Sequence, residues 1–229
     1  MNARGRTPGS ETRSNPATAQ SDGGTGKQQK SRTNSLVELV VIVLVAIGLA
    51  LAIQAWVVKP YRIPSGSMEP TLKVGQRVLV DRIGMHFGGP KVGEIVVFHP
   101  PKVAQQQVCG PAPHMVTPGS APCDAPVPEE ASENFIKRIV AGPGDRLFIK
   151  EGHAYRNGKR ENDPYIAQCG GGPECNFTTP ITIPAGHWFM MGDNRGASDD
   201  SRYWGPVPTS WIIGQAFATY WPPDRIGFL

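Results

Sequence analysis

Ile63-Pro64-Ser65-Gly66-Ser67-Met68-Glu69-Pro70-Thr71-Leu72 places two hydroxyls two residues apart around a glycine, with a proline outside each. Pro64 and Pro70 fix φ and lack a backbone donor, so neither a regular helix nor a central strand is expected across the whole run. Gly66 is expected to take a backbone angle that a side chain would forbid, letting Ser65 and Ser67 project from a tight turn. A serine held on such a turn is one way to present a nucleophile. Taken alone, the stretch reads equally as a Ser/Pro/Gly loop with no chemistry. Its flanks decide the matter, because the chain before it reads as apolar helix and the chain after it as short strands.

Upstream, Leu36 to Val58 is a nearly unbroken apolar run. As a helix it would be roughly 35 Å long at about 1.5 Å per residue, enough for a bilayer core of about 30 Å. Glu38 and Gln54 lie near its ends, and Trp56 and Lys59 suit an interface, the first by its amphipathic ring and the second by snorkelling. Leu39 to Ile53 has no polar face at helical period, which argues against a buried core helix. Ala50-Leu51-Ala52 imitates a small-residue cleavage site, yet the run exceeds a usual signal-peptide core of about 7–15 residues. An uncleaved anchor over 36–58 is the expectation.

Of the 229 residues, 1–35 hold six basic and two acidic side chains, which accounts for the whole formal charge of +4. The remainder carries 17 of each sign. No folded stretch combines clustered Lys/Arg with aromatics, so a nucleic-acid role is not expected. The tail is almost devoid of apolar residues, which predicts disorder. With its excess of cations it should remain cytoplasmic, leaving 59–229 extracytoplasmic.

The four cysteines all follow the apolar run. An oxidising exterior would let them pair. Sequence proximity favours Cys109–Cys123 and Cys169–Cys175, although four cysteines allow three connectivities. The CxxC spacing of a zinc site is absent.

Beyond the serine stretch, Arg77–Val80, Glu94–Phe98, Phe135–Val140, Arg146–Ile149, His153–Tyr155, His187–Met191 and Gln215–Tyr220 read as short strands between turn signals. Glu151-Gly152 and Asn157-Gly158 mark hairpin turns. His99 to about Ser132 reads as a surface excursion holding the first cysteine pair. The second pair belongs to a small cap around 150–185. The expected fold is therefore mainly β, an N-terminal transmembrane helix followed by an antiparallel sheet-rich domain. In Phe135–Val140, alternation puts Lys137 on one face with Phe135 and Ile139, and Arg138 on the other with Ile136 and Val140. The pattern leaves open which cation is buried, but only a lysine could then act as a base.

Four segments together carry a resemblance: Pro64–Leu72, Gly93–Phe98, Phe135–Asp145 and Gly192–Arg202. In residues, order and spacing they resemble the successive signature boxes of bacterial type I signal peptidases, over roughly 36 to 225. The resemblance implies a Ser/Lys dyad with Ser67 as nucleophile and Lys137 as general base. It further implies that Ser65 helps the Ser67 N–H form an oxyanion hole, and that Ser198 positions the lysine amine. Asp200 and Arg202 become a structural pair, with Asp193 and Asn194 in the same box. Gly196-Ala197 departs from the family's common Asn-rich form, and the segment before this last box is short, so any capping domain is reduced.

An ordinary lysine holds its proton at neutral pH. Phe135 and Ile139 would have to dehydrate Lys137 for it to serve. Ser198 is expected to accept from the amine and aim its lone pair at Ser67. Ordinary ion pairing with Asp145 or Asp200 is the competing role for Lys137. A histidine triad has no support, since His86, His99, His114, His153 and His187 fall in no motif and Gly-x-Ser-x-Gly is missing. No cofactor or metal is expected.

The implied substrates are signal peptides of exported preproteins, cut after Ala-x-Ala-like sites at the membrane surface. They would add as an extended strand near Tyr61–Pro64 and Phe135–Lys137. Ile63, Pro64, Met68 and Ile136 are the candidate pocket walls, with core packing as their other role. Besides preproteins and lipid, no partner is expected, and the chain should be monomeric. Two other readings remain at this point: a relative maturing a narrow set such as pilin or conjugation proteins, and a non-enzymatic anchored β domain that binds ligands.

Overall fold

The structure is a computed structural model that describes residues 32–112 and 114–229. The disorder expected of the tail, and the interfacial roles given to Gln54 and Trp56, fall outside the described residues and side chains. The chain divides into two units, with the boundary between Val45 and Ala46. Helix α1 spans Arg32–Trp56, and Ser35–Ile53 within it is long and apolar enough to cross a membrane. Its boundary corrects the expected anchor of 36–58. The helix stops at Trp56, and Val58 already opens a strand in which Lys59 lies over the Tyr61 ring, 5.5 Å from its centroid.

Strands follow in this order: β1 Val58–Arg62, β2 Arg77–Asp81, β3 Ile95–Phe98, β4 Val108–Cys109, β5 His114–Met115, β6 Phe135–Ala141 and β7 Arg146–Lys150. Then come β8 His153–Arg156, β9 Lys159–Arg160, β10 Phe177–Thr182, β11 His187–Met191, β12 Val207–Pro208, β13 Ile212–Trp221 and β14 Gly227–Phe228. Two short helices interrupt them, α2 Gly84–Gly88 and α3 Ser201–Trp204. The main antiparallel sheet runs β1-β2-β13-β3-β6-β11-β12, with β14 paired to β13. A second sheet, β10-β7-β8-β9, forms the cap, and β4 and β5 make a small ribbon.

Three apolar clusters explain this layout. Every residue of β3 is buried, so its continuous Ile-Val-Val-Phe run marks a strand covered on both faces. Ile95 and Val97 join Ile63, Met68, Leu72, Val78, Val80 and Ile136 on one side, while Val96 and Phe98 join Ile139, Met190 and Trp204 on the other. The third cluster, built on Leu147, Ile149, Phe177 and Phe189, fastens the cap sheet to the ends of β6 and β11. Glu151-Gly152 and Asn157-Gly158 take positive φ at both positions, the geometry that closes two-residue hairpins between β7, β8 and β9. Cys109–Cys123 and Cys169–Cys175 are both disulfides.

Candidate active site

The serine stretch leaves β1 at Arg62 and folds into one 3-10 turn, Gly66–Met68. Ile63, Met68 and Leu72 are fully buried and pin the turn to the core on either side of Ser67. Ile63 also exchanges backbone hydrogen bonds with the returning chain, its N–H donating to Gln76 O at 2.8 Å and its carbonyl accepting from Gly75 N at 2.9 Å. Gly66 does not have the positive φ expected of it, because a 3-10 turn keeps ordinary right-handed angles. A Cβ there would meet only the Glu69 side chain, at 3.5 Å.

Lys137 reaches this turn from the centre of β6. Its Nζ donates to Ser67 Oγ at 2.6 Å, and both side chains are buried. On its strand face lie Phe135, whose ring centroid is 5.8 Å from Nζ, and Val96, its partner on β3. Burial lowers the amine to about 8, with the charges of Asp200 and Asp199 working against the shift. Of the two cations left open by alternation, Lys137 is thus the dehydrated one. Arg138, on the other face, pairs with Asp193 through two hydrogen bonds and stacks over Tyr165, 3.8 Å from its centroid. Lys137 has no hydrogen bond to Asp145, which is occupied by Arg156, Asn157 and the Gly142 N–H.

The 192–202 loop closes the back of the site. Asn194 donates its backbone N–H to Ser67 O at 3.0 Å and its side-chain amide to Gly66 O at 3.2 Å. Asp200 is fully buried against Arg202, Oδ1 to Nε at 2.7 Å and Oδ2 to Nη2 at 2.9 Å, and also accepts the Gly192 N–H at 3.1 Å. Burial works against the Asp200 charge, yet the Arg202 guanidinium holds this carboxyl below its ordinary value. Arg202 spends its remaining donors on Glu174 O and Ser198 O, so the pair is buried with its polar atoms satisfied.

One expectation for the serines is corrected. Ser198 Oγ has no hydrogen-bond partner among the described residues, so it does not accept from the Lys137 amine here. It lies instead against the Gly192 backbone. Ser65 turns its hydroxyl toward Ser67 Oγ at 3.4 Å.

Ser67 and Lys137 open onto a cleft of about 530 Å³, walled by Pro64, Ile136, Asn134 and Asp199 among others. A second hollow of about 330 Å³ adjoins it, sharing Pro64 and Ile136 and adding Ile63 and Tyr61. Met68 lines neither. It is fully buried in the cluster behind the turn, so its proposed place in a pocket wall gives way to core packing. The residues that sequence reasoning missed are Asn194, as the clamp on the turn, and Asp199, as a half-buried acid in the cleft wall. Both stood inside a recognisable segment, but nothing in their spacing told their directions apart.

A serine hydroxyl approached by a dehydrated amine at the bottom of a cleft, with no histidine in its lining, is the layout of a serine hydrolase whose base is not an imidazole. Comparison with known proteins narrows this class. The family described as "Signal peptidase, peptidase S26" matches residues 36–221. "Probable signal peptidase I-1" of Synechocystis sp. is 36% identical over 192 residues, covering 84% of this chain and 86% of the relative. "Signal peptidase I" of Leptolyngbya laminosa is 34% identical over 201 residues, covering 88% and 87%. A crystal structure of a signal peptidase I from Enterococcus faecalis is similar with a TM-score of 0.37 at 22% identity, over 55% of this chain and 95% of that one. The chain belongs to the signal peptidase family and is a serine peptidase, a hydrolase.

Proposed function

We propose that this chain removes signal peptides from exported preproteins, cutting after small-x-small sites with Ser67 as nucleophile and Lys137 as general base. The observation that carries this reading is the 2.6 Å contact between a buried Lys137 Nζ and Ser67 Oγ. With the amine neutral, the contact reverses: the Ser67 O–H donates to Nζ, and the lysine takes the proton as Oγ attacks the scissile carbonyl carbon. The oxyanion is held by the Ser67 N–H and the Ser65 hydroxyl. Collapse expels the amine of the mature chain, which receives its proton from Lys137. The neutral lysine then draws a proton from water as that water attacks the acyl carbon; collapse breaks the bond to Oγ, releases the signal peptide's carboxylate end, and returns the lysine's proton to Ser67 Oγ.

The substrate docks as an extended strand. Among the described residues β1 is an edge strand, and Phe135–Lys137 pairs with β3 while β11 begins pairing only at Arg138. A peptide laid there can add main-chain hydrogen bonds, with two small side chains entering the adjoining hollows walled by Ile63, Pro64 and Ile136. Asp200 and Arg202 support the lysine from the loop. α1 acts as the membrane anchor of a single-pass monomer, its basic tail cytoplasmic and residues 59–229 outside, needing no cofactor.

The test is to incubate the purified protein with a preprotein and sequence the new N-terminus. Cleavage after a small-x-small site is expected, and Ser67→Ala and Lys137→Ala should each abolish it while leaving the fold intact. Normal processing by either folded variant would reject the assignment.

A further inference from the structure

Three carboxylates of the 192–202 loop bear on Lys137: Asp193, Asp199 and Asp200. Two are compensated by a guanidinium at hydrogen-bond distance, Asp193 by Arg138 and Asp200 by Arg202. Asp199 has neither an ion pair nor a hydrogen-bonded cation among the described residues, and its Oδ1 is buried without a partner. It stands in the wall of the same cleft as Ser67 and Lys137.

We propose that Asp199 is a positioning residue acting through Lys137: its uncompensated carboxylate holds the charge on the amine and so sets how alkaline the medium must be before the peptidase turns on. This rests on Lys137 being the base. The groups facing the pair are Asp200, Asp193 and Arg202 from the loop, Tyr203 and the Trp204 indole in α3, and the exposed Glu133 at the mouth of the cleft. Burial, then the neighbouring Asp200 charge, raises the Asp199 carboxyl to about 6. Asp199 is therefore ionised throughout the range in which Lys137, near 8, gives up its proton. Removing its charge leaves dehydration of the amine less opposed, and the proton departs at lower pH.

The experiment compares wild type, Asp199→Asn, Asp199→Ala and Asp199→Glu, each as the full chain in detergent. Preprotein cleavage is followed against pH. In parallel, the Lys137 Nζ resonance of ¹⁵N-lysine-labelled protein is titrated, assigned by its loss in Lys137→Ala. The neutral variants should lower both the Lys137 titration and the acid limb of kcat/KM by about half a pH unit or more. Asp199→Glu should keep both near wild type. A merely structural residue would lower activity evenly across pH and leave the Lys137 titration in place. An unmoved Lys137 resonance in a folded neutral variant overturns the inference, whatever its activity. If instead the wild-type activity fails to follow the wild-type Lys137 titration, the lysine is not the base, and the parent reading falls with it.

Discussion

Arg138 holds Asp193 by two parallel hydrogen bonds, Nε to Oδ1 at 2.9 Å and Nη2 to Oδ2 at 2.8 Å. The pair joins the residue after Lys137 to the residue before Asn194. It therefore couples the strand that carries the amine to the loop that clamps the Ser67 turn. Thr71 adds a third tie, its Oγ1 donating to Asp193 Oδ2 at 2.5 Å. The turn, the strand and the loop thus meet on one carboxylate.

Asp193→Ala should accordingly be costly. It strands a mostly buried guanidinium, and breaking such a pair from one side removes about 3 kcal/mol or more. A urea melt reads that loss. Arg138→Lys keeps the charge but not the fork, so a smaller drop in stability is expected, with kcat reduced because the turn and strand lose their common register. Unchanged kcat in Arg138→Lys would show that the tie serves stability alone.

Gly192→Ala tests the close approach of loop and turn. A Cβ at Gly192 would overlap Ser67 O and Ser198 Oγ, and the first of these is backbone that cannot swing aside. The Ser67 turn must then move away from Lys137. For the proposed dyad, a displacement near 1 Å costs on the order of 10²-fold in rate. The expected result is a fall in kcat of about that size in a folded protein. Wild-type kcat would mean that the loop yields instead of the turn.

How far the sequence disclosed this arrangement depends on where each residue stands. The fully buried Ile95–Phe98 and the hydrophobic His187–Met191 were legible as strands because their apolar runs leave no other fate. Val58–Arg62 and Phe177–Thr182 were not, since Pro60 and Pro180 argue against strands. Both lie in edge strands, where a missing N–H is tolerated. Alternation could say that Lys137 and Arg138 face opposite ways, but burial of Lys137 depends on Val96 and on the turn at Ser67, contacts far away in the chain. Met68 stays open in the sequence for the same kind of reason: beside such a serine, an apolar side chain can face either the cleft or the core, and only packing decides. The partnerless Ser198 Oγ likewise follows from the path of the loop around Gly192, which no spacing conveys.

The first disulfide gives a prediction of a different kind. Cys109–Cys123 closes a loop with a sequence separation of 14, and the Cys123 N–H donates to Arg202 O at 2.9 Å. Loop closure of this length contributes about 3 kcal/mol. Replacing both cysteines by alanine should lower the thermal midpoint accordingly. Activity at low temperature should survive, because Arg202 keeps its contacts with Asp200 and Ser198 O. Loss of activity in a folded double variant would assign the excursion a part in holding the site.

Lys137 itself should leave a signature on stability as a function of pH. In the folded protein its amine lies near 8, against 10.5 in the absence of the fold. Below about 8 both states carry the proton, and the fold bears the full penalty of a buried cation. Between the two values the unfolded chain binds the proton and the folded chain does not, so stability rises with pH across that window, by about 3 kcal/mol in all. Lys137→Met, of similar length and without charge, should therefore be more stable than wild type at pH 7. The advantage should shrink steadily from pH 8 to 10.5, as followed by urea melts at several pH values. A constant difference between the two proteins over that range would mean that the amine bonded to Ser67 is not the dehydrated group described above.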